Sequence, residues 1–193
     1  MIPGGIRFGV GTWPWGDRLL WDYGIDYDRK DLTAVFLRYL SDGIRFFCTS
    51  ASFAEGISES ILGELIAETP VPVTVATKYI PRPWHLRRSE FLDSLKASML
   101  RLRLNKLNIF EVGQPAGMMT IQRLAECAAE ALDMGLIEQV GLSGYNLQQI
   151  DTFNEALSRF GYSIACVETP YNLLDRTIEY NGVLDICQRL NIT

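Results

Sequence analysis

The sequence predicts an α/β fold, an incomplete parallel barrel of the (β/α)8 TIM-barrel type with about six strand-helix units present. Three observations carry this. Apolar, β-rich runs alternate six times with segments of helical period. The runs are apolar nearly throughout, as strands buried on both faces are, so the sheet is parallel and its crossovers share one hand. Finally, the G-x-G-x-x-G fingerprint of an open nucleotide-binding sheet is broken, because Gly9 and Gly11 are followed by Pro14 where the third glycine belongs.

Taken in order, the first strand is IRFGVGTW over 6–13, followed by a helix over 31–42. The second pair is IRFFCTS over 44–50 and a helix over 57–69, and the third is VPVTVATKY over 71–79 and a helix over 87–103. That third helix shows its period best: Phe91, Leu95, Met99 and Leu102 recur three or four residues apart and form one apolar stripe. KLNIFEVGQ over 106–114 precedes a helix over 119–135, IEQVGLSG over 137–144 one over 147–161, and SIACVETP over 163–170 one over 177–191. Gly43, Gly135 and Gly161 stand where helices should stop before the next strand.

Composition limits the function. With 48% hydrophobic and 21% charged residues the chain is ordinary globular material, expected to form a single domain over residues 1–193. A net charge of -5, with no basic run longer than Arg87-Arg88, argues against nucleic acid. The N-terminus lacks an export pattern and no apolar run approaches a membrane span, so a cytoplasmic protein with no membrane partner is expected. Cys48, Cys127, Cys166 and Cys187 lie far apart, and His85 is the one histidine, so neither a disulfide framework nor a metal site is expected.

Eight units typically need about 250 residues, and this chain has 193. Its last residues, 191–193, fall where another strand would begin, so the preferred reading is a barrel truncated before the seventh unit. Closure through a partner and a re-registered smaller barrel are the alternatives. An open sheet of this kind has two unpaired edges, through which self-association is expected.

Several stretches together resemble the aldo-keto reductases: GVGTWPWGD at 9–17, SESILGELI at 58–66, VATK at 75–78, SLKASMLRLRL at 94–104, GLIEQVGLSGYN at 135–146 and PYNLLDR at 170–176. The resemblance implies reduction of a small carbonyl substrate by NADPH. In that family a tyrosine is the acid, a lysine lowers its pKa, an aspartate pairs with the lysine and a histidine orients the carbonyl. The motif D-T-A-x-x-Y-G falls on CTSASFA at 48–54, which puts Cys48 in the aspartate's place and Phe53 in the tyrosine's. Lys78 keeps the lysine, and Gly113 in VGQP stands for the histidine. Among cofactor positions, Thr12 and Trp13 end the first strand, the Ser-Asn pair that holds the nicotinamide amide becomes Ser143 and Gly144, and a glutamine on strand six becomes Glu168.

Each position has a plainer reading. Phe53 has no ionisable hydrogen and can simply fill the old pocket, whereas a positioned acid contributes about 10²–10⁴-fold in rate. Lys78 is either a leftover ammonium that needs an acidic partner or a cation for an anionic ligand. A neighbouring ammonium would favour the Cys48 thiolate, although small buried cysteines are commonly inert. His85 could replace the acid or stay in a solvated loop. Trp13, Trp15, Trp21 and Trp84 could wall a ligand pocket or pack the loops onto the rim, and Glu168 could pair with Lys78 across the mouth. The function expected is that of an aldo-keto reductase family protein with a degenerate active site. The alternatives are an inactive barrel that binds or scaffolds, and a non-redox reaction centred on Cys48 and Lys78.

Overall fold

Strand and helix alternate six times in the computed structural model, which describes residues 8–82, 87–116 and 119–193. The elements are β1 (Val10–Gly11), α1 (Arg29–Ser41), β2 (Phe46–Cys48), α2 (Ile57–Ala67), β3 (Thr74–Tyr79), α3 (Arg88–Leu102), β4 (Leu107–Gly113), α4 (Ile121–Asp133), β5 (Ile137–Ser143), α5 (Leu147–Ser158), β6 (Ile164–Glu168) and α6 (Val183–Leu190). All neighbours pair parallel and in chain order. Trp84 and His85 fall outside the described residues.

The sheet is strongly curled. Neighbouring strands lie about 4.8 Å apart, so β2 and β6 would be about 19 Å apart in a flat sheet. Yet Cys48 Sγ on β2 donates a hydrogen bond to Glu168 Oε2 on β6 at 3.0 Å. The two ends of the sheet therefore bend towards each other into an incomplete barrel, as expected. A register shift between Val140 and Gly141 in the β5–β6 pairing adds to the bend.

Alternation along the strands divides the core in two. Phe47, Val75, Phe110, Val112, Val140 and Leu142 belong to the large cluster that also takes the apolar stripes of the helices, Phe36, Leu62, Phe91, Leu124 and Phe153 among them. The rings of Phe91 and Phe110 meet edge to face at 5.4 Å, which joins α3 to β4. Ala76, Ile109 and Cys166, with Phe46 and Cys48 against them, form a small separate cluster on the concave side.

The structure shortens two expected elements. The first strand ends at Gly11, one residue before Thr12 N donates to Cys48 O, because Pro14 has no N–H to extend the ladder and the chain turns as Trp15 N bonds back to Thr12 O. The last helix begins only at Val183, after left-handed Gly182 (φ 82°), and a 3-10 turn over Thr177–Glu179 takes up the earlier residues. Gly43, Gly135 and Gly161 lie just past α1, α4 and α5 with positive φ, as expected of helix stops. The outer edge of β6 is not bare: Thr193 donates to Ala165 O at 3.1 Å and accepts from Val167 N at 2.8 Å.

Candidate active site

Parallel strands put all their C-terminal ends at one end of the sheet, and the inward-facing residues there enclose a cavity of about 430 Å³. Gly9, Gly11, Phe46, Cys48, Lys78, Glu111, Cys166 and Glu168 line it from five strands and the approach to β1. Trp13, Phe53, Val167 and Thr193 complete the wall.

Charge is concentrated at one point of this mostly apolar lining. The Lys78 ammonium contacts Glu168 Oε1 and lies 3.3 Å from Glu111 Oε2. Burial works against its charge, but Cys48, Glu111 and Glu168 outweigh burial and hold its pKa above the ordinary lysine value. Burial likewise pushes Glu168 upward, yet Lys78 dominates and keeps it below the usual carboxylate range. Glu111 goes the other way: burial first, then the adjacent Glu168 carboxylate, raise it to about 7 against the pull of Lys78. Its Oε2 makes no hydrogen bond, since the 3.3 Å approach to Lys78 has ion-pair distance without hydrogen-bond geometry.

Gly141 on β5 makes this arrangement possible. A Cβ there would lie 2.8 Å from Glu111 Cγ and 2.8 Å from Cys166 Sγ, so the missing side chain is the space that Glu111 occupies.

The sequence leaves two readings of Cys48 open, an inert buried cysteine and a thiolate favoured by Lys78. The ammonium is close, but burial first and Glu111 next push the thiol pKa well up and outweigh Lys78. Cys48 is therefore a thiol that donates to Glu168, not a thiolate. Cys48, Glu111 and Glu168 do offer donor atoms within 4.8 Å of one another; the Lys78 ammonium holds the cation's position among them, so they form an ion-paired cluster.

Phe53 lies over the lysine, with Nζ 5.8 Å from its ring centroid, and its ring leans on Trp13 at 6.5 Å. The residues after it are strained. Ala54 (φ 47°) and Glu55 (φ 54°) both take left-handed backbone before Gly56, and Ala54 stands where the resemblance places a glycine. A left-handed residue with a Cβ costs about 1–2 kcal/mol, and the added chain freedom of glycine returns about 0.4–1 of that. Ala54→Gly is therefore expected to stabilise the protein by roughly 0.5–1 kcal/mol, read from the urea midpoint at unchanged slope.

The other expected positions are dispersed. Thr12 is fully buried with its hydroxyl on Ser58 Oγ (2.7 Å) and Cys48 O (3.2 Å), so it faces the α2 side and not the cavity. Ser143 and Gly113 are paired strand ends outside the cavity lining, and Gly144 (φ 77°) accepts from Gln114 Nε2. Trp13 lines the cavity and Trp21 meets it edge to face at 5.7 Å, whereas Trp15 is core, packed near Phe47. The sequence offered a Glu168–Lys78 pair as one option, and Glu111 was missed. A carboxylate inside a strand otherwise apolar enough to be buried on both faces was the signal. Glu59 was missed as well: on α2, fully buried, it accepts from Arg101 Nε at 2.6 Å and Thr77 Oγ1 at 2.5 Å.

Residues 7–193 match the sequence pattern of the Aldo/keto reductase family. The chain belongs to the aldo/keto reductase family. The chain is 31% identical over 197 residues to a chloroplastic pyridoxal reductase of Arabidopsis thaliana, covering 95% of the chain and 54% of that protein. It is 28% identical over 182 residues to the aldo-keto reductase YhdN of Bacillus subtilis, covering 90% of the chain and 52% of the relative. The chain thus spans about half the length of these curated relatives. Among solved structures, a glycerol dehydrogenase from Gluconobacter oxydans superposes with a TM-score of 0.80 at 24% identity, covering 100% of this chain and 61% of the other. An aldo/keto reductase from Klebsiella pneumoniae, solved in complex with NADP and acetate, gives 0.78 at 24% identity, covering 95% and 60%. These likenesses show the fold. No helix among the described residues is long and apolar enough to cross a membrane.

Proposed function

We propose that the barrel mouth binds a small carbonyl compound, and that NADPH-dependent reduction of it, the reaction the family resemblance implies, is lost or residual in this chain. The observation that carries this is the state of Lys78. The lysine that should tune a tyrosine hydroxyl lies beneath a phenylalanine ring and is ion-paired to Glu111 and Glu168. With no acidic hydrogen above it, it has no acid to activate. What supports carbonyl binding is the cavity itself, apolar and aromatic with one cluster of polar groups at its base.

The residues do not fit a nicotinamide amide as they stand. Such an amide needs both a donor and an acceptor. Gly144 supplies no side chain, the oxygens of Glu168 are engaged by Lys78 and Cys48, and Thr12 faces elsewhere. Ser143 is the remaining candidate. No step through the cofactor is therefore assigned, and weak NADPH affinity is expected.

Because a similar protein is named pyridoxal reductase, pyridoxal is the aldehyde to try first. Titration of NADPH fluorescence should show binding far weaker than micromolar, and a steady-state assay should show no turnover approaching the usual enzyme median of about 10 s⁻¹. Micromolar NADPH affinity together with turnover of that order would overturn the reading.

A further inference from the structure

One ammonium faces two carboxylates at the base of the cavity, and no second cation lines it among the described residues. Lys78 on β3 touches Glu168 on β6 and lies 3.3 Å from Glu111 on β4; Cys48 on β2 and Cys166 on β6 are the other titratable groups that face Glu111. Both cysteines are held as neutral thiols, by burial first and by Glu111 next. Glu111 is 3% exposed, yet one of its oxygens is without a hydrogen bond. An ammonium has three donor hydrogens, and of the two carboxylates only Glu168 accepts a hydrogen bond from it, which leaves at least one for an incoming oxygen.

We propose that the Glu111–Glu168 pair and Lys78 exchange the proton on the carbon next to the carbonyl of a bound ketone or aldehyde, with no hydride donor involved. This rests on the reading of the cavity as a carbonyl site. The carboxylate pair takes the proton as the carbon–hydrogen bond breaks. That electron pair forms the carbon–carbon double bond of an enolate, while the carbonyl π pair moves to oxygen, where the free N–H of Lys78 receives it. Return of a proton from the pair to the same carbon restores the ketone, so nothing is oxidised or reduced. Two carboxylates beside one ammonium suit the task, because the pair holds one proton jointly and a base is most effective when it titrates near the working pH. The apolar wall of Trp13, Phe46 and Phe53 strengthens the contact between ammonium and developing oxyanion.

The test uses the whole chain and benzylacetone in deuterated buffer, with no nicotinamide added. Proton NMR follows loss of the methyl and methylene signals next to the carbonyl, and saturation-transfer NMR on the same sample reports binding. Exchange is expected at about 10²-fold or more above buffer alone. Its rate should rise with pH through about 7 and then level, as the pair gives up its shared proton. Glu168→Gln should remove most of the acceleration. The wild-type rate and pH profile test the proposal even if that variant fails to fold. Binding without exchange above buffer overturns the proposal and leaves the carbonyl site standing; absence of binding overturns both. Exchange that is unchanged in a folded Glu168→Gln, or that shows no rise through the neutral range, also overturns it.

Discussion

Lys78→Met is expected to destabilise the protein by about 3–5 kcal/mol in mildly alkaline buffer and by much less in acid. The variant keeps the volume and removes the cation, leaving Glu111 and Glu168 facing each other in an apolar cavity. Two adjacent carboxylates cannot both stay ionised there, so at least one must take a proton that the unfolded chain gives up near the ordinary glutamate value. The sign follows from linkage. Where the folded state binds more protons than the unfolded, stability falls as pH rises. Glu111 already does this in the wild type, with its pKa raised from 4.5 to about 7, so wild-type stability should decline gently across that interval. Glu168 opposes it: its lowered pKa contributes stability above the ordinary value that is lost as pH falls through the folded one. Lys78→Met turns the second contribution into another of the first kind, so the decline should become steep. Urea unfolding over a pH series measures this, and a loss of stability independent of pH would show that Lys78 acts by packing alone.

Rebuilding the family's tetrad with Cys48→Asp, Phe53→Tyr and Gly113→His is expected to give an unstable protein and no working reductase. Cys48→Asp places a third carboxylate where Glu168 and Glu111 already share one ammonium, at a cost of about 3 kcal/mol or more above neutral pH if it stays charged. Gly113→His meets a different obstacle. A Cβ at 113 would lie 2.9 Å from Ile80 Cδ1 and 3.0 Å from Tyr79 O, and the latter is backbone that cannot swing aside. The tyrosine would also find its lysine held by two glutamates. Adding Glu168→Gln and Glu111→Leu to the triple variant should recover most of the alkaline stability. Urea midpoints for the wild type, the three-substitution and the five-substitution chains test this, alongside NADPH-dependent turnover of pyridoxal. A triple variant as stable as the wild type at alkaline pH would show that the cavity tolerates a third negative charge.

The fold was legible because its signals are local. Apolar strands, the stripe of Phe91, Leu95 and Leu102, and glycine stops at 43, 135 and 161 each act over one element. The site was legible only where a residue replaces one of known type at a known place, as with Lys78, Cys48 and Phe53. Glu111 has no such marker; it gains its role from a partner 33 residues away on β3 and another on β6, and from empty space at Gly141. The thiolate reading of Cys48 rested on its distance to one charge, whereas its protonation depends on burial and on a carboxylate that had not been placed. Thr12 looked like a strand-end contact for the cavity and instead faces α2, because the chain reverses at Trp13–Gly16. Effects that depend on how far a sheet curls are the ones that a linear sequence hides.

The gap at Gly141 also ties two positions of this site together. A Cβ at 141 and the Cγ of residue 111 compete for one volume, 2.8 Å apart at their centres. A side chain at 111 that reaches in this direction is therefore compatible with glycine at 141 and clashes with any residue that carries a Cβ there. The two positions are adjacent across β4 and β5 and count as separate changes in sequence. In energy they act as one unit, so a bulky residue at 141 should cost far less once Glu111 has been shortened.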